Sequence, residues 1–350
     1  MSNNQENIKK FYKSHYFVAF SFFLAFVIGV GASSIFWHFH INDVIKNIAD
    51  QVRPSRQNNN QYTYINPLLG YDVPGDVKEF NEYNSLTDKV DSAVAKANNS
   101  NLDGFSFYFR DLTLGRWAGE NENTAYDPGS MMKVAVMITY FKEAEEDPSI
   151  LQKTLVYSSS TVDQINGVPF SFPSDLQVDK SYSVEKLIEA MIINSDNGAK
   201  DVLLDNINQQ SFIEVHTDLG LPNPAVVENY TITAKQYAVL LRVLYGATYL
   251  GRQYSEKALQ IMSQAVYNQG LVAGVPKGTA VAQKFGEALD STNPSAPEIN
   301  LSDCGIIYHP THPYILCVMT KGKDINALTQ TIASISNVVW NQVSSYAAGE

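Results

Sequence analysis

Two cysteines in 350 residues exclude a disulfide-stapled scaffold and a Cys-rich metal site. Charge is also scarce, at 17% of residues, and the acidic side dominates: 36 Asp and Glu against 25 Lys and Arg leave a net charge of -11. Such a surface repels a phosphate backbone, which excludes nucleic acid as a partner. No Gly-rich phosphate loop and no Ser-His-Asp pattern can be found, and no internal repeat. Apolar and aromatic residues are plentiful instead. The hydrophobic fraction is 45%, with 20 Tyr and 17 Phe. Disordered chains are poor in aromatics, so most of this chain is expected to fold around a substantial core.

From Tyr16 to Phe36 there is no charged residue. About 20 apolar residues suffice to cross a bilayer as a helix. Lys9, Lys10 and Lys13 precede the run, so residues 1–15 are expected to be a cytoplasmic tail and residues 16–38 a transmembrane signal anchor. A cleaved signal peptide is the alternative, because Gly31-Ala32-Ser33-Ser34 offers small residues for cleavage. Both readings put the rest of the chain outside the cytoplasm, on a single-pass cell-membrane protein in the first case. His38 and His40 read as side chains at the membrane boundary. Residues 39–84 read as an extracytoplasmic stalk, with Asn and Gln concentrated between Arg53 and Tyr64 and a loop from Pro67 to Pro74. The folded domain is expected over 85–350.

Within it, Ser85 is expected to cap a helix reaching Ala97, with Leu86, Val90, Ala93 and Val94 at helical spacing. Phe105 to Arg110 alternates as a strand does, and Arg116-Trp117-Ala118 begins its return partner. Met132 to Phe141 is apolar nearly all round, which predicts a helix buried at the centre. Ser183–Ile193 and Ala234–Leu244 read as amphipathic helices. Ala280–Phe285, Gly305–Tyr308 and Tyr314–Thr320 read as strands, and Ile325–Ser344 as a closing helix. The order predicts an α+β domain whose first and last helices cover one face of an antiparallel sheet. A hairpin tip at His309–His312 would set Cys304 opposite Cys317, as a cross-strand disulfide or as two buried thiols.

Three motifs carry chemistry: Ser130-Met131-Met132-Lys133, Ser195-Asp196-Asn197 and Lys284-Phe285-Gly286. Residues three apart on a helix share a face, so Lys133 can reach the Ser130 hydroxyl and take its proton. A serine hydroxyl is a poor nucleophile until a base does this. Lys133 must then be partly neutral, through desolvation or nearby positive charge such as Lys284. Gly129 permits a sharp entry to the helix, and backbone N–H groups at its N-terminus lie where an oxyanion forms. Ser195 offers a hydroxyl for proton transfer, and Asn197 an amide to hold substrate. Asp196 is expected to brace its own loop. Each motif alone is common. A second Ser-x-x-Lys, Ser183 to Lys186, starts an amphipathic helix and reads as a cap.

In this order the motifs resemble those of the class A β-lactamase-like, penicillin-recognising serine hydrolases. The resemblance runs from about Ser85 to Ser344. It includes Asp127-Pro128-Gly129 before the nucleophile, Tyr182–Asn194 leading into the second motif, Thr231–Ala234 opening a helix, and Asp303–Ile306 on the strand after the third motif. It implies a DD-peptidase/β-lactamase-like fold: an antiparallel sheet of about five strands flanked by helices, plus a helical lobe. It implies Ser130, Lys133, Ser195 and Lys284 as catalytic residues, and Asn197, Gly286 and Glu287 as substrate-binding ones. The Ser130 and Glu287 backbone N–H groups would form the oxyanion hole. The implied acyl donor is a β-lactam or a D-Ala-type cell-wall peptide, with no metal and no cofactor. Two departures stand out. Phe285 replaces the Thr or Ser whose hydroxyl helps bind a substrate carboxylate, and Glu287 adds a negative charge beside it. The Leu219–Tyr230 stretch is short and lacks the usual deacylating Glu motif, leaving Glu228 as the one carboxylate near the right place, a solvated loop residue before it is a deacylation base. A catalytically silent binding module that kept the fold is the rival reading. The departures favour it, and the retention of Ser130, Lys133, Ser195, Asn197 and Lys284 opposes it.

Overall fold

A computed structural model describes residues 56, 62–68, 81–96, 102–158, 170, 172–227, 229–290 and 297–347. Five strands form one antiparallel sheet: β1 (Leu102–Asp111), β2 (Trp117–Glu120), β7 (Val281–Asp290), β8 (Glu298–Ile307) and β9 (Tyr314–Gly322). Their order across the sheet is β2-β1-β9-β8-β7, so β7 is an edge strand. The alternation of β1 sorts its side chains as expected. Phe107 and Phe109 join a core with Leu86, Val90, Leu328, Ile332 and Val339, from helices α1 (Asn81–Lys96) and α9 (Ile325–Ala347). Tyr108 faces the opposite core, which belongs to the helical lobe. The first and last helices therefore cover one face, as the sequence predicts. Among the described residues no helix is long and apolar enough to cross a membrane, and the 16–38 run lies outside them.

The lobe is centred on α2 (Lys133–Glu146), where Val134 through Phe141 are all buried. Around it lie α3 (Val184–Ile193), α4 (Asn197–Asn206), α5 (Gln209–Asp218), α6 (Ala234–Gly246) and α7 (Arg252–Met262). Ser183 caps α3 by accepting from Lys186 N at 3.2 Å, so the second Ser-x-x-Lys is a cap. Thr233 and Gln236 form a reciprocal capping box at the start of α6.

Several boundaries differ from the sequence reading. Helix α1 begins at Asn81, so Ser85 sits a turn inside it rather than at its start. Strand β7 continues past Phe285 to Asp290, and β8 begins at Glu298, well before Gly305. The outermost added rung sets Asp290 against Glu298, and it is secured by Lys321 of β9, which pairs with both. Lys284-Phe285-Gly286 thus sits mid-strand rather than at a strand end. Residues 62–68, expected within the stalk, lie against the domain. Ile65 is buried, and the Glu256 carboxylate accepts from the backbone N–H groups of Thr63, Tyr64 and Ile65. Cys304 and Cys317 are direct cross-strand neighbours, as the hairpin predicts, and are two buried free thiols.

Candidate active site

Ser130 lies on a 3-10 turn, Gly129–Met132, that runs directly into α2. The α-helix itself starts only at Lys133, because the chain must first turn sharply at Gly129, whose φ is +49°. Asp127 Oδ1 accepts from Gly129 N at 2.9 Å and steadies the entry. Edge strand β7 presses against this turn backbone to backbone. A methyl group at Gly286 would stand 2.0 Å from the Pro128 carbonyl oxygen and 2.8 Å from Met131 N. One at Gly129 would stand 2.2 Å from the Glu287 carbonyl oxygen. Both glycines are needed for this close approach.

Lys133 and Lys284 come from different elements and meet at one hydroxyl. Lys133 Nζ donates to Ser195 Oγ at 3.1 Å, and Lys284 Nζ donates to the same oxygen at 2.9 Å. Lys133 also donates to Asn197 Oδ1 at 2.7 Å and to the Ser195 carbonyl at 2.5 Å. These contacts match the donor capacity of an ammonium, and they bind Lys133 to the Ser195 loop rather than to the half-buried Ser130 hydroxyl. Both amines are buried. Burial, then the charges of Lys284 and Lys200, hold Lys133 well below the usual lysine range. Burial lowers Lys284 to about 7 against the opposing pull of Asp303 and Glu287.

Ser195 holds its position at φ +56°, a conformation costly for a non-glycine residue. Its loop is braced by Asp196, which caps α4 by accepting from Ala199 N at 2.8 Å and also accepts from Tyr157 and Ser174. The bracing role expected for Asp196 is therefore observed.

On β7, side chains alternate. Lys284 and Gly286 face the lobe and the Ser130 turn, while Phe285 and Glu287 face the other way. Phe285 is buried in an aromatic group that the sequence did not reveal. Tyr267 stacks on it at 4.3 Å, and Phe170 and Phe172 meet it edge-on at 5.9 and 5.8 Å. Lys284 Nζ sits 4.3 Å from the Phe285 ring centroid. Phe170 N donates to Glu287 Oε1 at 3.2 Å. From there the chain reaches the opposite wall, where Asn194 Nδ2 donates to the Pro173 carbonyl and Ser174 Oγ to Asp196. Burial raises Glu287 to about 7. Asp303, directly across from Phe285 on β8, is fully buried, accepts from Leu271 N at 2.9 Å, and is raised to about 7 by burial. A charged residue within the apolar run of β8 was the available signal for Asp303. The aromatic partners come from separate loops and left none. Glu228 lies outside the described residues.

The fold is β-lactamase-like. PBP-A superposes with a TM-score of 0.60 at 22% identity, over 74% of this chain and 97% of that one. A β-lactamase from Sphaerobacter thermophilus superposes at 0.60 with 18% identity, over 72% of this chain and 95% of that one. The TLA-1 extended-spectrum β-lactamase gives 0.60 with 18% identity, over 73% and 99%. Identities this low carry the fold alone. No curated protein matches the chain. Residues 85–343 match the model of the beta-lactamase enzyme family, and the chain belongs to that family.

Proposed function

We propose that this protein is a serine acyl hydrolase, acylated at Ser130 by a β-lactam or a D-Ala-type cell-wall peptide. The observation that carries the reading is the convergence of Lys133 and Lys284 on the Ser195 hydroxyl, with Asn197 accepting from the same Lys133 that follows the turn bearing Ser130. Lys133, kept partly neutral by burial and by Lys284, takes the Ser130 proton. The Ser130 oxygen attacks the carbonyl carbon, and the oxyanion is held by the Ser130 and Glu287 backbone N–H groups. Ser195 passes the proton to the leaving nitrogen as the C–N bond breaks. Asn197 holds the substrate, and Gly286 lets β7 lie close enough to take part. Water then hydrolyses the ester, with Glu228 as the candidate base. A variant of PBP-A has been solved as an acyl-enzyme complex with penicillin G, which supports the substrate class. The 16–38 run would anchor the domain outside the cytoplasm, where such substrates occur.

The catalytically silent module is the second reading. It is favoured by the contact of Glu287 with Phe170 beside the site and by the direction of the Lys133 hydrogen bonds. An intact-mass time course of the full-length chain with penicillin G separates the two. The expected result is a mass gain equal to the drug, absent from Ser130→Ala. Equal labelling of Ser130→Ala would remove Ser130 as the nucleophile, and no labelling of either protein would favour the silent module.

A further inference from the structure

β7 is an edge strand, and its free edge runs past the turn that bears Ser130. An open strand edge is a template on which an extended peptide adds itself through main-chain hydrogen bonds. This edge is already occupied. The Phe285 carbonyl accepts from Lys284 Nζ at 3.0 Å. The Glu287 carbonyl lies against the serine turn, where a methyl group at Gly129 would stand 2.2 Å from its oxygen. The segment 170–174 covers what is left. On the face of β7 turned away from the lobe, Phe170 and Phe172 meet the Phe285 ring at 5.9 and 5.8 Å, and Phe170 N donates to Glu287 Oε1 at 3.2 Å. On the lobe side, Asn194 Nδ2 donates to the Pro173 carbonyl at 3.1 Å and Ser174 Oγ donates to Asp196, the residues on either side of Ser195. The other edge of β7 is paired with β8 from Val281 to Asp290. The three steps from Phe170 to Pro173 reach at most about 10 Å, too short to pass round an end of the strand and return. The segment therefore crosses the free edge, beside Glu287 and the serine turn. Tyr267 meets the two Phe rings at 5.2 and 6.3 Å, which fixes the segment as a wall.

We infer that Phe170 and Phe172 set the specificity of this site: they bar acyl donors that extend as a peptide strand along β7 and admit compact ones. The inference rests on acylation at Ser130, and it narrows the donor class to small acyl groups such as an unextended β-lactam. A peptide laid along the edge would meet carbonyls that are already engaged and two aromatic rings in its path.

Two penicillins test this. Both are amides of 6-aminopenicillanic acid, one formed with a formyl group and the other with N-acetyl-alanyl-alanine. In each, the Ser130 oxygen attacks the lactam carbonyl, the ring C–N bond breaks, and the nitrogen takes the serine proton, so the mass gain equals the donor. Acylation rates of the full-length chain in detergent are followed by intact mass. Each is divided by the rate of labelling with diisopropyl fluorophosphate, a compact probe, so that partial unfolding of a variant cancels. The formyl donor is expected to react at least about tenfold faster, since a donor held off by about 1 Å can lose about 10²-fold in rate. In Phe170→Ala combined with Phe172→Ala, the peptidyl donor should gain at least about tenfold while the formyl donor changes by less than about threefold. Should the double variant not fold, Phe172→Ala alone carries the same comparison. A peptidyl donor as fast as the formyl donor on the unsubstituted protein, or a ratio unchanged in the variant, overturns the inference. An equal gain for both donors also overturns it, and makes the segment a lid rather than a selector. If diisopropyl fluorophosphate labels Ser130 while neither penicillin reacts with either protein, only the donor selection is overturned. If it fails to label as well, the acylation reading itself falls.

Discussion

Adding one methyl group to the third motif should disable the site, and the amount follows from the packing of β7 on the serine turn. In Gly286→Ala the new Cβ would stand 2.0 Å from the Pro128 carbonyl oxygen. Carbon–oxygen contacts close to no less than about 3.3 Å, so strand and turn must part by roughly 1.3 Å. Side-chain rotation cannot relieve this, because the opposing atoms are backbone. A misplacement of about 1 Å in a reacting geometry can cost about 10²-fold in rate. Overpacking of this kind destabilises by about 1–3 kcal/mol. At about 2–4 °C per kcal/mol for a domain of this size, Tm should fall by roughly 2–12 °C. The assay is the second-order rate of Ser130 labelling by a fluorophosphonate, followed by intact mass, with thermal unfolding on the same samples. Labelling within about threefold of the unsubstituted protein, at an unchanged Tm, would refute the contact on which the argument stands.

Lys133 is held well below the usual lysine range first by burial and then by the charge of Lys284, so acylation should rise with pH as Lys133 deprotonates in that lowered range. Lys284→Met removes one positive neighbour and should move the rising limb to higher pH. A limb that stays put or moves down would contradict the coupling. Ser195 sits at φ +56°, so Ser195→Gly should be more stable than Ser195→Ala by about 1 kcal/mol, with both acylating slowly. Equal denaturant midpoints would argue against strain at this residue. Burial raises Asp303 to about 7, above its unfolded value, so its contribution favours the folded state at low pH and is lost as pH rises through about 7. Asp303→Asn keeps an acceptor for the Leu271 N–H and should raise Tm relative to the unsubstituted protein at pH about 8.5 but not at pH about 4. The same difference at both values would show that the carboxyl does not titrate as described.

Much of the arrangement was legible because it follows from local periodicity. The apolar run Met132–Phe141 dictates a buried helix, which occurs; the alternation of Phe105–Arg110 gives the strand, although both of its faces are covered and Ser106 and Tyr108 are buried along with Phe107 and Phe109. Ser130, Lys133, Ser195 and Asn197 could be named because their motifs sit where helices begin, and Lys284 because its motif lies on an apolar strand. The far half of the β7–β8 hairpin was hidden, because Glu287, Asp290 and Glu298 have poor strand propensity and are held by Lys321 from a third strand. The aromatic group around Phe285 was hidden for a different reason. Phe170, Phe172 and Tyr267 are distant in sequence, and nothing local marks them as neighbours.

The strand order has a consequence for how the molecule is made. β1, finished by Asp111, pairs with β9, which begins at Tyr314. At synthesis rates of about 5–20 residues per second, β1 emerges roughly 10–40 s before its central partner. Throughout that interval Phe107 and Phe109 lack the helix and strand that bury them, because α9 is made last of all. The serine turn and Lys133 likewise precede Lys284 by most of the lobe. A nascent chain of this protein is therefore a long-lived apolar strand, paired on one edge alone by β2 and followed by helices, and it needs to be held apart from its copies until β9 and α9 have been made.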